Sequence, residues 1–431
     1  MQIRCCTISL FSDRKSVEPL ERRLMGRVRT GNRQLIRELN TNLVLNTIRQ
    51  SSPVCQAEIM RGTRLSAGTV TSIVKELKER DLVCEIGPGQ SSIGRKPRLL
   101  EFNAEARVVI SAAFFADETH VGILDLDGNL KKQVEFTTRP RSGPEVLFSN
   151  FCRQAGCLLA DTGIPKDKLL GVGVGFEGIV DHDSGKLLLS TRFGWRDVEV
   201  KDEIERRFGT RTVVNHEGAA MALGEYRYGA GQAHEDMVCI DVDAGIGSVE
   251  ISHGRIRAGR HNMAGEIGHT LVVQDGQICK CGRRGCLETV ASGWAIVSTV
   301  RDGIRGGIKS TVSDEVHSAS VRVATRAVFR AAREGDDLAL TVIRDAGRYL
   351  GLAIAAVVNY VDPELIVLTG CVADQSDGML LQLAREYAMP HVVDSRARTV
   401  EIEQGVLGQD AVLIGAATFV YEEAFKLPVS Y

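Results

Sequence analysis

The segment from His269 to Glu288, HTLVVQDGQICKCGRRGCLE, places Cys279, Cys281 and Cys286 within eight residues, with His269 ten positions before the first thiol. Three thiolates and one imidazole form a soft four-ligand set, the kind that closes a tetrahedral shell around a structural Zn²⁺. A disulfide uses them less well. A Cys-x-Cys ring is small and strained, and one thiol would be left over. Gly282 and Gly285 suit the tight turns between such ligands, because those turns need backbone with positive φ. With four protein ligands the ion has no open position for water, so its predicted work is to hold neighbouring residues still.

The rest of the chain must supply a frame for that knuckle. Its 431 residues carry a formal charge of −2, with 44% hydrophobic and 25% charged residues, the profile of a soluble protein of two or three domains. The most apolar stretch, Tyr349 to Val361, contains Gly351 and Asn359 and falls short of the ~18 to 20 apolar residues of a membrane span. The opening residues MQIRCCTISLF lack a long apolar core and a small-residue cleavage site, so no secretory signal is expected. Eleven cysteines then read as reduced thiols plus one metal site, and the expected location is the cytoplasm, with no membrane partner.

Charge divides the chain. Up to Glu105 there are 18 Lys and Arg against 11 Asp and Glu, leaving 35 against 44 for the remainder. A basic head on an acidic body points to a polyanionic partner for the head, the alternative being a solvated basic face with no partner.

Within that head, residues 32–103 resolve into three short helices and a hairpin. Leu39, Leu43, Val44 and Ile48 lie at helical spacing, Pro53 is expected to open a second helix through Met60, and Val70, Ile73, Val74 and Leu77 form a third apolar stripe. Arg61-Gly62-Thr63-Arg64 is the expected turn of a helix-turn-helix, and Ser66 is a natural N-cap for the third helix. Ser66, Thr69, Thr71, Ser72 and Lys75 are candidate DNA contacts, because short polar side chains near a helix N-terminus let the backbone approach a major groove. Two strands, Asp81 to Ile86 and Gly94 to Phe102, joined by a basic loop make a wing, whose Arg95, Lys96 and Arg98 are expected along phosphates. Residues 1–31 read as a disordered basic tail, with Met25 a candidate start of translation.

From residue 106 to 431 strands and helices alternate. VVISAAFF, VGILDLDG, LLGVGVGF, TVVN, MVCIDVDAG and ELIVLTG are predicted strands, and Pro144 to Asp161 and Thr341 to Asn359 predicted helices. The first two strands form a hairpin through a short turn, so a simple doubly wound sheet fits poorly. Two α/β lobes facing across a cleft fit better.

GVGVGFEGIVD (171 to 181), VNHEGAAMALGE (214 to 225), AGEIGH (264 to 269) and CKCGRRGCLE (279 to 288), placed behind a winged helix ending in GRKPRLLEF, resemble the ROK family of sugar-responsive repressors and sugar kinases. The resemblance runs from about Asn32 to about Phe419. It implies an actin-like two-lobed α/β fold preceded by a winged helix-turn-helix domain, with the zinc knuckle at 269–286. It also implies sugar-binding roles for His216, Glu217, Glu266, His269 and Glu288, with His269 serving both metal and sugar through its two ring nitrogens. Carboxylates are suited to such work, since each accepts two hydrogen bonds from vicinal hydroxyls.

Departures from the family's kinases bear on activity. The DxGGT-like phosphate turn reads Ala113-Phe114-Phe115-Ala116-Asp117, where Phe115 is expected to obstruct a phosphate and Asp117 to repel it. The second phosphate loop reads Asp243-Ala244-Gly245-Ile246-Gly247-Ser248. Both argue against bound ATP. Glu217 replaces the aspartate base, and one extra methylene shifts a carboxylate by about 1 Å. Glu177 replaces a proline. The leading expectation is a regulator that binds operator DNA and takes a sugar or sugar phosphate as effector, acting as a homodimer or homotetramer. The alternatives are an active ATP-dependent sugar kinase with a DNA-binding head, and a regulator answering to a transport-protein partner.

Overall fold

Runs of β-branched residues ended by short turns, such as VVISAAF and MVCIDV, pair in a computed structural model that describes residues 33–88, 97–318, 320–396 and 398–425. In the head, helices Arg33–Ser51, Gln56–Thr63 and Ala67–Glu79 pack with a three-stranded sheet of Val54–Cys55, Arg98–Phe102 and Val83–Pro88, in that order. The third helix buries Val70, Ile73, Val74 and Leu77, the stripe expected from its spacing.

Three local expectations are corrected. Pro53 does not open the second helix: Val54 and Cys55 pair with Leu100 and Leu99, and the helix begins at Gln56, where the Glu58 carboxylate accepts from the Cys55 amide at 2.8 Å. That helix runs on through Thr63, so the turn is made by Arg64, Leu65 and Ser66, with Arg64 left-handed at φ 58. The first helix is rotated from the predicted face. Thr41, Val44, Leu45 and Ile48 face the core at i, i+3, i+4 and i+7, while Leu39 and Leu43 are exposed.

The body holds two five-stranded sheets of matching plan. The first runs Thr212–His216, Leu169–Phe176, Val108–Phe114, Glu118–Asp125, Leu130–Thr137, and the second runs Glu401–Gln404, Leu365–Thr369, Asp236–Val242, Ile246–Ser252, Arg255–Ile256. In each, three strands meander antiparallel from the central strand and two more add in parallel on its other side. Every strand predicted from sequence is present, as are the two helices, now Pro144–Thr162 and Asp337–Val361. The second starts earlier than expected because Asp336 caps it, accepting from the Ala339 amide at 2.9 Å.

Two helices lie between the sheets, Glu217–Tyr228 and Ala411–Ala424, and join them through Ala220, Leu223, Val412, Leu413 and Ala416. They cross at small residues. A Cβ on Gly415 would stand 1.6 Å from the Ala220 carbonyl oxygen, and one on Gly224 would stand 2.5 Å from that of Ala411. The last helix also joins the head: Tyr421 and Phe425 share one apolar cluster with Ile48, Val70 and Leu100.

Helix propensity alone would favour Gly415→Ala by about 1 kcal/mol. The clash with main chain outweighs it, and the variant is expected to lose about 1 to 3 kcal/mol in chemical denaturation.

Candidate functional site

The knuckle forms from a chain that doubles back on itself, with isolated bridges at Leu271 with Cys286 and Ile278 with Arg284. Gly282 and Gly285 take φ of +86 and +72, the conformation expected of them. Ligand atoms of His269, Cys279, Cys281 and Cys286 all lie within 4.8 Å of one another, with Cys279 Sγ 3.6 Å from His269 Nδ1 and Cys281 Sγ 3.7 Å from Cys286 Sγ. None of the three thiols is in a disulfide. The set of donors and its spacing fit a Zn²⁺ ion. His269 turns its other ring nitrogen, Nε2, toward Glu266 Oε2 at 3.7 Å, on the side of the cleft.

That cleft, of about 810 Å³, opens between the two sheets. All five residues expected to bind sugar, His216, Glu217, Glu266, His269 and Glu288, line it together. Parallel register explains much of the grouping. Phe114, Phe176 and His216 are level across three neighbouring strands, so the next residues, Phe115, Glu177 and Glu217, emerge side by side at the strand ends. Asn215 and Asp241, which no motif in the sequence singles out, also line the cleft. Asn215 adjoins the expected pair, and that adjacency was the available signal.

Too many carboxyls meet here for all to ionise freely. Burial, reinforced by Glu177, pushes the Glu217 carboxyl well above the usual carboxylate range. Burial, then Asp243, Asp374 and Glu177, does the same to Asp241. His216 is pushed down to about 4 by the protein crowded around it, although its edge is open to cleft water. Neutral His216 accepts from the Gly218 amide at Nδ1, 3.1 Å away, which leaves Nε2 to carry its proton 3.2 Å from Glu217 Oε2.

The two turns of interest are both closed by the chain's own carboxylates. Glu177 Oε2 accepts from the Ala116 amide at 2.7 Å, and its Oε1 pairs with Arg192 at 3.0 Å. This supplies the physical account of Glu177 that its sequence lacks. Asp117 reaches the same Arg192 at 2.7 Å and is largely exposed, so its charge is compensated. Asp117 is thus a paired charge, and the carboxylate seated on the Ala116 amide is that of Glu177, with Phe115 lining the cleft beside it. At the second turn Asp243 Oδ1 accepts from the Ala244 amide at 2.6 Å and from Cys371 Sγ at 3.0 Å.

On the head, Ser66 caps the third helix, accepting from the Thr69 amide at 3.3 Å and meeting the Thr69 hydroxyl at 2.8 Å. Thr71 donates to Gln56 at 3.0 Å, while Ser72 and Lys75 are exposed, Lys75 lying 3.9 Å from Glu79. Arg98 is exposed and paired with Glu85 at 2.6 Å. Arg95 and Lys96 lie outside the described residues. From residue 33 to 105 the described part of the head carries nine Lys and Arg against eight Asp and Glu. Most of its positive excess therefore belongs to residues 1–32 and 89–96.

A comparison with protein families matches residues 116–423 to the ROK family. The chain belongs to the ROK family. Among ROK relatives, the xylose repressor of Bacillus subtilis is 25% identical over 387 residues, covering 90% of this chain and 96% of that one. A glucokinase of Halalkalibacterium halodurans is 32% identical over 307 residues, 70% of this chain and 92% of the enzyme. A solved ROK transcriptional regulator, homologous to the Escherichia coli Mlc protein, matches with a TM-score of 0.78 at 25% identity, covering 90% of this chain and 96% of that one. The actin-like ROK fold with an N-terminal winged helix is thus the architecture of this chain.

Because folding raises the Glu217 pKa, the stability linked to it is complete below about pH 4.5 and is lost as pH rises toward the folded value. Glu217→Gln removes that dependence. Between about pH 5 and 8 the thermal midpoint of the wild-type chain should fall relative to the variant, as differential scanning fluorimetry across that range would record.

Proposed function

We propose that this ROK chain is a DNA-binding transcriptional regulator of carbohydrate genes, whose winged helix meets operator DNA and whose cleft takes a sugar as effector. One observation carries the link between the two. The helix Glu217–Tyr228 starts at the cleft floor and ends against the head, where Arg49 of the first helix donates to the Tyr228 hydroxyl and lies 3.7 Å from Asp127. Twelve residues span about 18 Å as a rigid rod. A sugar held at His216 and Glu217 thereby acts on the N-terminus of an element whose C-terminus touches the head. Effector changes DNA affinity only by binding one arrangement of this rod better than another, typically by about 1 to 3 kcal/mol, or about 5- to 150-fold.

In this reading Glu217, Glu266 and Glu288 accept hydroxyl hydrogen bonds, His216 and His269 orient them, and Ser72 and Lys75 meet the groove or its phosphates. Ser66, Thr69 and Thr71 position that helix through the cap and Gln56. Arg98 and, beyond the described residues, Arg95 and Lys96 add affinity without sequence information. His269, Cys279, Cys281 and Cys286 would hold Zn²⁺, which supplies a fixed crosslink bracing Glu266 and Glu288 and no reaction step. Two heads on a palindromic site require at least a homodimer. The capped turns support the absence of ATP chemistry, and incubation with Mg-ATP and hexoses is expected to release no ADP above the blank.

Electrophoretic shift of a fragment from upstream of the protein's own gene, with D-xylose, D-glucose and N-acetylglucosamine added in turn, tests the regulator. A shift altered at least about 5-fold in affinity by one sugar is expected; no shift at low salt, with or without any sugar, removes the proposal. Tyr228→Phe should keep sugar and DNA affinities near wild type and blunt the response of one to the other. Metal analysis should find one zinc per chain. Cys286→Ser should weaken zinc retention by about 10- to 100-fold or more and abolish sugar binding along with it.

A further inference from the structure

Resting on the reading of the cleft as a sugar site, its charges decide which kind of sugar it takes. Among the described residues the cleft wall carries six carboxyl side chains, Glu177, Glu217, Asp241, Asp243, Glu266 and Glu288, against the cations Arg192, Arg257 and Lys280. Both arginines are already paired with carboxylates. Arg192 is shared by Glu177 and Asp117, Arg257 Nε lies 3.4 Å from Glu250, and the Lys280 ammonium sits 5.4 Å from the centre of the Trp294 ring.

Position sharpens the argument. Main-chain amides at two glycine- or alanine-bearing turns would be natural donors to a phosphoryl oxygen. Here the Ala116 amide is capped by Glu177 and the Ala244 amide by Asp243, so each anion seat is already filled by an anion of the protein. Glu177 also stands beside Glu217, one strand over at the same level. A dianionic ester on the hydroxyl nearest Glu217 would have to enter beside the Glu177 and Asp243 carboxylates, with the Ala116 and Ala244 amides already occupied. An uncharged hydroxyl there only needs acceptors, which abound.

We propose that the cleft selects an unphosphorylated, uncharged sugar, and that Glu177, braced by Arg192 and seated on the Ala116 amide, is the residue that excludes a phosphoryl group. Glu177 acts by charge and occupancy. It is a determinant of specificity, made possible by a turn whose amide the carboxylate itself occupies.

Titration calorimetry of the full chain compares D-glucose with glucose 6-phosphate and N-acetylglucosamine with its 6-phosphate, with D-xylose alongside. For whichever parent sugar binds, the ester is expected to bind at least about 100-fold more weakly. Glu177→Gln keeps an acceptor for the Ala116 amide but removes the charge; it should narrow the gap to under about 10-fold while parent affinity changes little. In the wild type, the gap should also shrink as salt rises from about 50 to 500 mM, because screening weakens repulsion between charges and leaves steric exclusion untouched. That second measurement holds even if the variant does not fold. An ester binding as tightly as its parent overturns the proposal, and a salt-independent gap that persists in Glu177→Gln overturns the role of Glu177. Binding of none of these sugars or esters by a chain that still shifts DNA would instead overturn the sugar reading of the cleft.

Discussion

The close crossing of the helices Glu217–Tyr228 and Ala411–Ala424 is the constraint on which the rest of the body depends. Gly415 lies against the Ala220 carbonyl and Gly224 against that of Ala411, so the two backbones approach nearer than any side chain would allow. Between two sheets, this pair sets their separation and hence the width of the cleft. It also fixes a direction. With the helix pinned at its middle, His216 and Glu217 are held at the cleft floor and Tyr228 against Arg49, and the apolar cluster around Tyr421 continues the same packing into the head. A head on a flexible linker would have no such contact with the body.

Carboxylates define the chemistry of the cleft. Phosphate loops work by leaving amides open and by keeping negative charge away; both turns here do the reverse, with Glu177 and Asp243 bonded to the amides in question. The strand ends deliver these groups by register, since parallel pairing aligns Phe115, Glu177 and Glu217 whatever their identity. Chemistry at such a site is set by the residues at the strand ends, which can change without a change of fold. The Cys₃His cluster adjoins the cleft wall through His269 and Cys281, and His269 lies 3.7 Å from Glu266.

Much of this was legible from local pattern. Cys279, Cys281, Cys286 and His269 fall within eighteen residues, and a short chain segment has few ways to keep such ligands apart. The third helix of the head announced itself through Val70, Ile73, Val74 and Leu77, with Ser66 before them. Where periodicity was ambiguous, packing decided. Leu39 and Leu43 looked like core, yet Thr41 and Leu45 face inward beside Val44 and Ile48, because the helix meets its neighbours along that line. Pro53 looked like a helix start, but pairing of Val54 and Cys55 with the wing claimed the backbone first.

By itself, then, the sequence determined the grouping of His269 with three cysteines, the strands and most helices, and the family, because each is written in residue types a few positions apart. Only the tertiary structure decided that Arg192 braces Glu177 and Asp117, that Asp241 crowds Glu217, and that Arg49 meets Tyr228. Those partners are fixed by sheet register and by the helix crossing, and spacing along the chain carries no record of either.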